Sequence, residues 1–548
     1  MNSDNITIGQ ALRQTASRLG SKIALVGMDE RITFAQLDRE VDEIAAGLLS
    51  RGVRRGDTVA LWMANTPNWV RVWMAAARIG AILVPINTRY KADETEFILR
   101  QSEAKVLIMM DQMWSIDYLA LLNEMSPDLK VNQRGEVQST KLPALRTVIV
   151  DGKRVPDGLH SMQALASMGA SATRALSEAE RAVQPDDPVI IVYTSGTTGR
   201  PKGAVHSHIA LKNGYNIART LHVSESDVVM GHMPFYHVAG AFSALLPSIG
   251  LGCTLVMLPH WDPESALKLI EQERISYISG IPTHFIDLVE AMRKSPVDTS
   301  SLRTAWIGGA TVMPEVVEAV IKELKLPSIQ AVYGMTETTS STTLSGYGAP
   351  MEVICENKGK PIGDFEVKIF DPASGTERPV GEVGEVWVRG HIVMLGYYQD
   401  PVATQEVMTE DGWFKTGDLG VFDEQGYLQI TGRAKEMFIV GGSNAYPAEI
   451  ERVLQGHPQI KQAVVVGVPD TRLGEVGYAF IQARDGGAVD RDEIIRYCRP
   501  RMADYKVPRY VSLMEDFPRT TTGKLQRSAL QKLALEQVSR PASVAEGG

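Results

Sequence analysis

At 548 residues the chain is too long for one ordinary core, and 44% hydrophobic with 22% charged residues is the make-up of a globular protein of two or three domains. A formal net charge of −9, spread along the chain with no basic stripe, argues against nucleic acid as a partner while leaving small anions open. Cys253, Cys355 and Cys498 stand far apart with no CxxC pair, which disfavours a disulfide framework or thiolate metal site and fits a reducing cytoplasm.

The opening MNSDNITIGQALRQ lacks a basic region followed by an apolar run, so no signal peptide is expected. Phe34, Leu37, Val41, Ile44 and Leu48 then recur at steps of three and four, the stripe of a half-buried helix. Thr33 with Gln36 supplies a capping box at its start, and Gly52 follows its end. Apolar runs at residues 58–63 and 82–86 flank a helical pattern over 69–79, which predicts parallel strands covered by a helix.

After a polar interlude near residues 151–187 the alternation resumes with a buried strand at 189–193. Residues 228–261 contain no Asp, Glu, Lys or Arg, yet Pro234, Pro247 and Pro259 interrupt them. A spanning helix calls for an unbroken run of about 20 apolar residues, so this stretch reads as buried core or a pocket wall, and no integral membrane segment is expected. A helix at 265–274, strands at 275–279, 304–307 and 329–333, and a helix at 314–324 suggest a second doubly wound unit.

From 361 to 432 the texture changes to short β runs with Gly turns (FEVKIFD, GEVWVRG, GYLQITG), suited to a small barrel or antiparallel sheet. Beyond residue 433 a last segment has its own alternation, with helices at 447–455 and 491–499 and a strand at 463–468. The tail after about residue 535 is small and polar, and disorder is expected there.

The loop at 193–203 (YTSGTTGRPKG) follows a strand and gathers Thr194, Ser195, Thr197 and Thr198 among Gly196, Gly199 and Gly203, with Lys202 beside them. Glycines admit backbone amides close to an anion, hydroxyls add donors and a lysine adds charge, as a triphosphate cradle requires. The spacing is not that of GxxxxGK[ST], and a plain flexible turn is the alternative.

The loop and four further stretches in order, YGMTE (333–337), TGD (416–418), GRAK (432–435) and TTTGK (520–524), resemble the adenylate-forming superfamily of acyl-CoA synthetases, luciferases and peptide-synthetase adenylation domains. The resemblance runs from about residue 33 to 527. It implies an α/β fold in which a large N-terminal adenylation domain (1–433), two doubly wound sheets plus a small β-barrel, precedes a small mobile α+β C-terminal domain (434–548).

The resemblance also assigns roles. ATP and AMP would be held by the 194–199 loop and Lys202, by Gly309 and Ala310, by Tyr333, Gly334 and Thr336, and by Asp418 on the ribose with Arg433. Glu337 would hold Mg²⁺, Lys435 would be the hinge, and Lys524 would stabilise the charge that builds on the α-phosphate. The hinge lysine is usually followed by Asp, whereas this chain has Glu436. Gly441, Gly442 and Ser443 resemble the turn lining the coenzyme A channel, with a simple hairpin turn as the alternative. One acyl-pocket wall would carry His237, Val238 and Gly240, faced by Trp306, Gly308 and Gly309. His237 is equally a gate or a hydrogen-bonded core histidine.

No acidic residue occurs between Asp227 and Asp262 to pair with a substrate ammonium, which disfavours amino acids. The expected activity is an ATP-dependent acid–thiol ligase making acyl-CoA from a fatty, alicyclic or aromatic acid through an acyl-adenylate, with a homodimer allowed. Delivery of the adenylate to a carrier protein, and a degenerate nucleotide-binding partner protein, are the alternatives.

Overall fold

The computed structural model describes residues 6–169, 173–194, 201–309, 312–441, 443–484, 490–519 and 525–539. Local chemistry sets the first elements as the sequence suggests. Thr33 Oγ1 accepts from the Gln36 amide at 3.2 Å, while Gln36 Oε1 accepts from the Thr33 amide at 2.9 Å. This closed capping box starts the helix Phe34–Ser50, and Gly52 follows it at φ +79°.

The chain divides into two compact units, residues 1–367 with 388–414 and residues 368–387 with 415–548. The first unit is built on two sheets. In one, five consecutive neighbours run parallel: Thr254–Met257, Val228–Gly231, Tyr277–Gly280, Thr304–Gly308 and Ile329–Tyr333. The other has the order Thr147–Asp151, Val106–Met110, Thr58–Trp62, Ile82–Pro85, Pro188–Thr194 at its centre, again parallel. Parallel sheets need both faces covered, which is why these strands read as near-continuous apolar runs.

Pleat alternation gives the first sheet two different faces. Ile278, Ala305, Ile307, Ile329 and Ala331 join a dry core with Phe285, Leu288, Val317 and Val320 from the helices Pro282–Lys294 and Pro314–Glu323. Tyr277, Ser279, Thr304, Trp306 and Gln330 alternate with them and are all buried. The uncharged stretch folds as the strand Val228–Gly231, a broken helix (Val238–Gly240, a π-turn at Ala241–Leu245, Leu246–Leu251) and the strand Thr254–Met257. It is buried core, and no helix among the described residues is long and apolar enough to cross a membrane.

In the second unit, the sheet Ser443–Ala445, Phe438–Val440, Gly474–Ala483, Ile460–Asp470, with Tyr510–Leu513 beside Gly474–Ala483, packs against the helices Pro447–Gln455 and Arg527–Ser539. One expectation is corrected. The strands Leu428–Arg433, Phe414–Phe422, Gly384–Arg389 and Glu366–Phe370 lie in that order as an open path, and among the described residues no pairing closes them into a barrel. A sheet closes only when its two edge strands pair, and Glu366–Phe370 ends the order without a second neighbour among the described strands. The helix Arg527–Ser539 buries Leu530 and Ala534 in the core of this unit, and the tail beyond it lies outside the described residues.

Candidate active site

In the first unit the strands Pro188–Thr194 and Lys202–Ser207 form an antiparallel pair, with Thr194 opposite Lys202. The hairpin thus delivers both ends of the Gly/Ser/Thr loop to one place. Ser195, Gly196, Thr197, Thr198 and Gly199 lie outside the described residues, as do Ala310, Gly442 and Lys524.

The hairpin is tied to the YGMTE segment at two points. His206 Nε2 lies 2.8 Å from the Thr336 carbonyl oxygen. Burial holds the His206 pKa down to about 4, so the ring is neutral and donates this bond. Beside it, Ala204 pairs with Tyr397, whose hydroxyl donates to Glu337 Oε1 at 2.9 Å. The Lys202 ammonium sits over the Tyr397 ring, 5.2 Å from its centroid. Burial and the negative charge of Glu337 raise the Tyr397 pKa, which keeps the hydroxyl a donor at any physiological pH. Lys202, Thr336 and Glu337 are therefore brought together.

The YGMTE turn is itself constrained. A Cβ on Gly334 would sit 1.7 Å from the Ser340 carbonyl oxygen, so only glycine fits. Thr339 and Ser340 both have positive φ, +52° and +82°. Asn213 Nδ2 holds that strained corner by donating to Thr339 Oγ1 and the Ser341 carbonyl, each at 2.9 Å. Tyr333 ends the strand Ile329–Tyr333, and Gly309 follows its parallel neighbour Thr304–Gly308 with φ +76°. Both stand at the carboxyl edge of the sheet, where ligands bind in open α/β folds.

Glu337 is only 8% exposed, and Tyr397 occupies one of its oxygens. Among the described residues no group of three or more His, Cys, Asp or Glu converges. A single buried carboxylate with one oxygen engaged fits Mg²⁺, which keeps water and substrate phosphates as its other ligands.

The two proposed acyl walls differ in what they show. His237 caps the short helix after it, its Nδ1 accepting from the Ala239 amide at 3.2 Å. Val238 is buried, and a Cβ on Gly240 would lie 2.3 Å from the Pro234 carbonyl oxygen. Trp306 is buried on the same sheet face as Tyr277, whose hydroxyl donates to the Ser243 carbonyl at 2.9 Å. At Gly308 the space of the missing side chain is filled by Val332, so this glycine serves strand packing and adds no room.

In the second unit Asp418 and Arg433 are cross-strand neighbours, with Arg433 Nε 3.0 Å from Asp418 Oδ1. Asp418 is buried, whereas half of the Arg433 side chain is exposed. The preceding Gly417 has φ +71° and donates its amide to Glu385 Oε1 at 3.0 Å. Lys435 is exposed in the turn after Arg433. Phe438–Val440 and Ser443–Ala445 pair antiparallel with Val440 opposite Ser443, and Gly441, which follows Val440, has φ +57°.

Three contributors escaped the motif reading: His206, Asn213 and Tyr397. Each is a polar side chain in an otherwise apolar or unmarked stretch, and the only local signal was a histidine inside the buried strand Lys202–Ser207.

A family model described as AMP-binding enzyme matches residues 12–398, and one described as AMP-binding enzyme C-terminal domain matches 449–524. The Bacillus subtilis (strain 168) protein YngI, provisionally named an acyl-CoA synthetase, is 36% identical over 541 residues, covering 98% of each chain. The mitochondrial medium-chain acyl-CoA ligase ACSF2 of Bos taurus is 36% identical over 539 residues, 96% of this chain and 87% of that one. The crystal structure of the anthranilate CoA ligase AuaEII in complex with anthranoyl-AMP superposes with a TM-score of 0.83 at 26% identity, covering 98% of this chain and 99% of that one.

Proposed function

This chain belongs to the AMP-binding enzyme family, and from that premise we propose that it is an ATP-dependent acid–thiol ligase that makes acyl-CoA from an apolar carboxylic acid. The observation that carries the reading is the junction of the 194–202 hairpin with Thr336 and Glu337 through His206 and Tyr397. That junction sets hydroxyls, a lysine and a buried carboxylate around one place, which suits a triphosphate and its magnesium ion.

In the first half-reaction the substrate carboxylate oxygen attacks the α-phosphorus of ATP, forming the acyl–AMP bond as the bond to pyrophosphate breaks. The 194–199 loop and Lys202 hold the phosphates, Tyr333 stacks on adenine, and Asp418 and Arg433 bind the ribose side. Glu337 holds Mg²⁺, which when bound neutralises phosphate charge. Lys524 stabilises the negative charge that grows on the α-phosphate, more in the transition state than before it. In the second half-reaction the CoA thiol attacks the acyl carbon and AMP leaves. The portion from Lys435 onward turns between the two steps, so that Lys524 withdraws and the Gly441–Gly442 turn lines the thiol path.

The absence of acidic residues over 228–261 supports an apolar acid, and the name of the Bos taurus relative puts medium-chain fatty acids first. Three free cysteines suit a cytoplasmic setting. The test is a pyrophosphate-release screen over fatty, alicyclic and aryl acids, with and without CoA. Acid-dependent release with CoA thioester as product is the expected result. Turnover that needs no CoA and ends at free adenylate would favour transfer to a carrier protein, and no release with any acid would overturn the reading.

A further inference from the structure

Glu436, the residue after Lys435, has a defined partner inside the second unit. Arg527 opens the helix Arg527–Ser539 and uses every edge of its guanidinium. Nη1 and Nη2 grip Glu451 as a fork at 2.6 and 2.7 Å, Nη1 also donates to the Val465 carbonyl at 3.1 Å, and Nε pairs with Glu436 Oε2 at 3.1 Å. Glu451 is buried on the helix Pro447–Gln455 and accepts a second bond from the Val465 amide at 2.7 Å. With its fork fixed on Glu451, the guanidinium offers Glu436 a single edge in one orientation.

The chain just before Arg527 is fastened as well. Arg519 and Leu525 form an antiparallel bridge, and the Gln526 amide donates to the Pro518 carbonyl at 2.8 Å. The residues flanking 520–524 therefore meet at one closed base, and Arg527 follows Lys524 by three positions in the sequence. At the other end of the clamp, the Glu436 amide donates to the Arg433 carbonyl at 3.0 Å in the turn that holds Lys435.

We propose that Arg527 is a positioning residue which, through Glu436, makes the turn after Lys435 and the base of the Lys524 segment one rigid piece, so that rotation at the hinge reaches Lys524 without slack. This rests on the reading of Lys435 and Lys524 given above. An Asp at this position would draw the carboxylate back by one carbon–carbon bond, roughly 1.5 Å, out of reach of Nε while Glu451 holds the fork.

The test uses full-length protein with Glu436→Gln, Glu436→Asp and Arg527→Lys, each also made on a Lys524→Ala background. Adenylation is followed by single-turnover pyrophosphate release without CoA, and thioesterification from supplied acyl-adenylate. The expected result is a loss of about tenfold or more in the adenylation rate for Glu436→Gln and Glu436→Asp, with KM for ATP within about twofold and the denaturation midpoint unchanged. On the Lys524→Ala background the same substitutions change nothing further, because they act only through that lysine. A full second loss on that background, or no loss in the presence of Lys524, overturns the clamp while leaving the ligase reading intact. Undiminished adenylation by Lys524→Ala alone overturns both the clamp and the role given to Lys524, and leaves the ligase reading standing.

Discussion

Replacing Tyr397 by Phe removes one oxygen from the site and little else. The ring stays beneath Lys202, 5.2 Å from the ammonium, so the cation–π contact survives. What is lost is the donor to Glu337 Oε1 at 2.9 Å, on a carboxylate that is 8% exposed. A hydrogen bond to a charged, buried acceptor is worth about 1.5–3 kcal/mol, and at about 1.4 kcal/mol per factor of ten that is roughly a 10- to 150-fold effect. Because Glu337 is the proposed metal-holding acid, the effect falls on the Mg²⁺ dependence. The assay is acid-dependent ATP–pyrophosphate exchange titrated with Mg²⁺, alongside calorimetric binding of MgATP and of metal-free ATP. The Mg²⁺ midpoint and the MgATP dissociation constant should rise by roughly that factor, while metal-free ATP binds as before. A midpoint within twofold of the unaltered protein would refute the assignment of Tyr397, and an equal weakening of both nucleotide forms would show that it acts on ATP and not on the metal.

Lys524→Ala should lower adenylation by about a hundredfold to a thousandfold or more while thioesterification of supplied acyl-adenylate is spared; equal loss of both half-reactions would count against the division of labour. Gly334→Ala drives a Cβ into the Ser340 carbonyl, and overpacking of about 1–3 kcal/mol should appear as a lower urea midpoint together with weaker ATP binding. Burial holds His206, His208 and His284 down to about 4 against an ordinary 6.5, so between these values the unfolded chain takes up protons that the folded chain does not. Stability should hold above pH 6.5 and fall towards pH 4, by about 1.4 kcal/mol per pH unit for each such histidine. Urea midpoints across this range check it, and His284→Asn should flatten the slope; a flat profile in the parent protein would contradict the burial argument.

Much of the fold was legible before any coordinates. The capping box of Thr33 and Gln36, the stripe from Phe34 to Leu48 and the apolar runs that became parallel strands are all settled by neighbours within a turn or a pleat. The motif order was legible in the same way, since each motif is a short run that can be matched residue by residue to the family it resembles. Errors came where the outcome depended on strand number and distant packing. Short β runs with glycine turns fit a barrel or an open sheet equally well, and only the count and pairing of strands decide between them.

By itself, then, the sequence determined the elements and the order of the motifs, because these are properties of single residues and near neighbours. Tertiary structure alone decided which of them meet. Tyr397 reaches Glu337 because its strand pairs with the edge of Lys202–Ser207, and His206 faces Thr336 across 130 residues of sequence. Glu436 finds Arg527 for the same kind of reason. Hydrogen bonds and ion pairs between segments far apart in the chain are set by sheet order and helix docking, and no local pattern of residues carries that information.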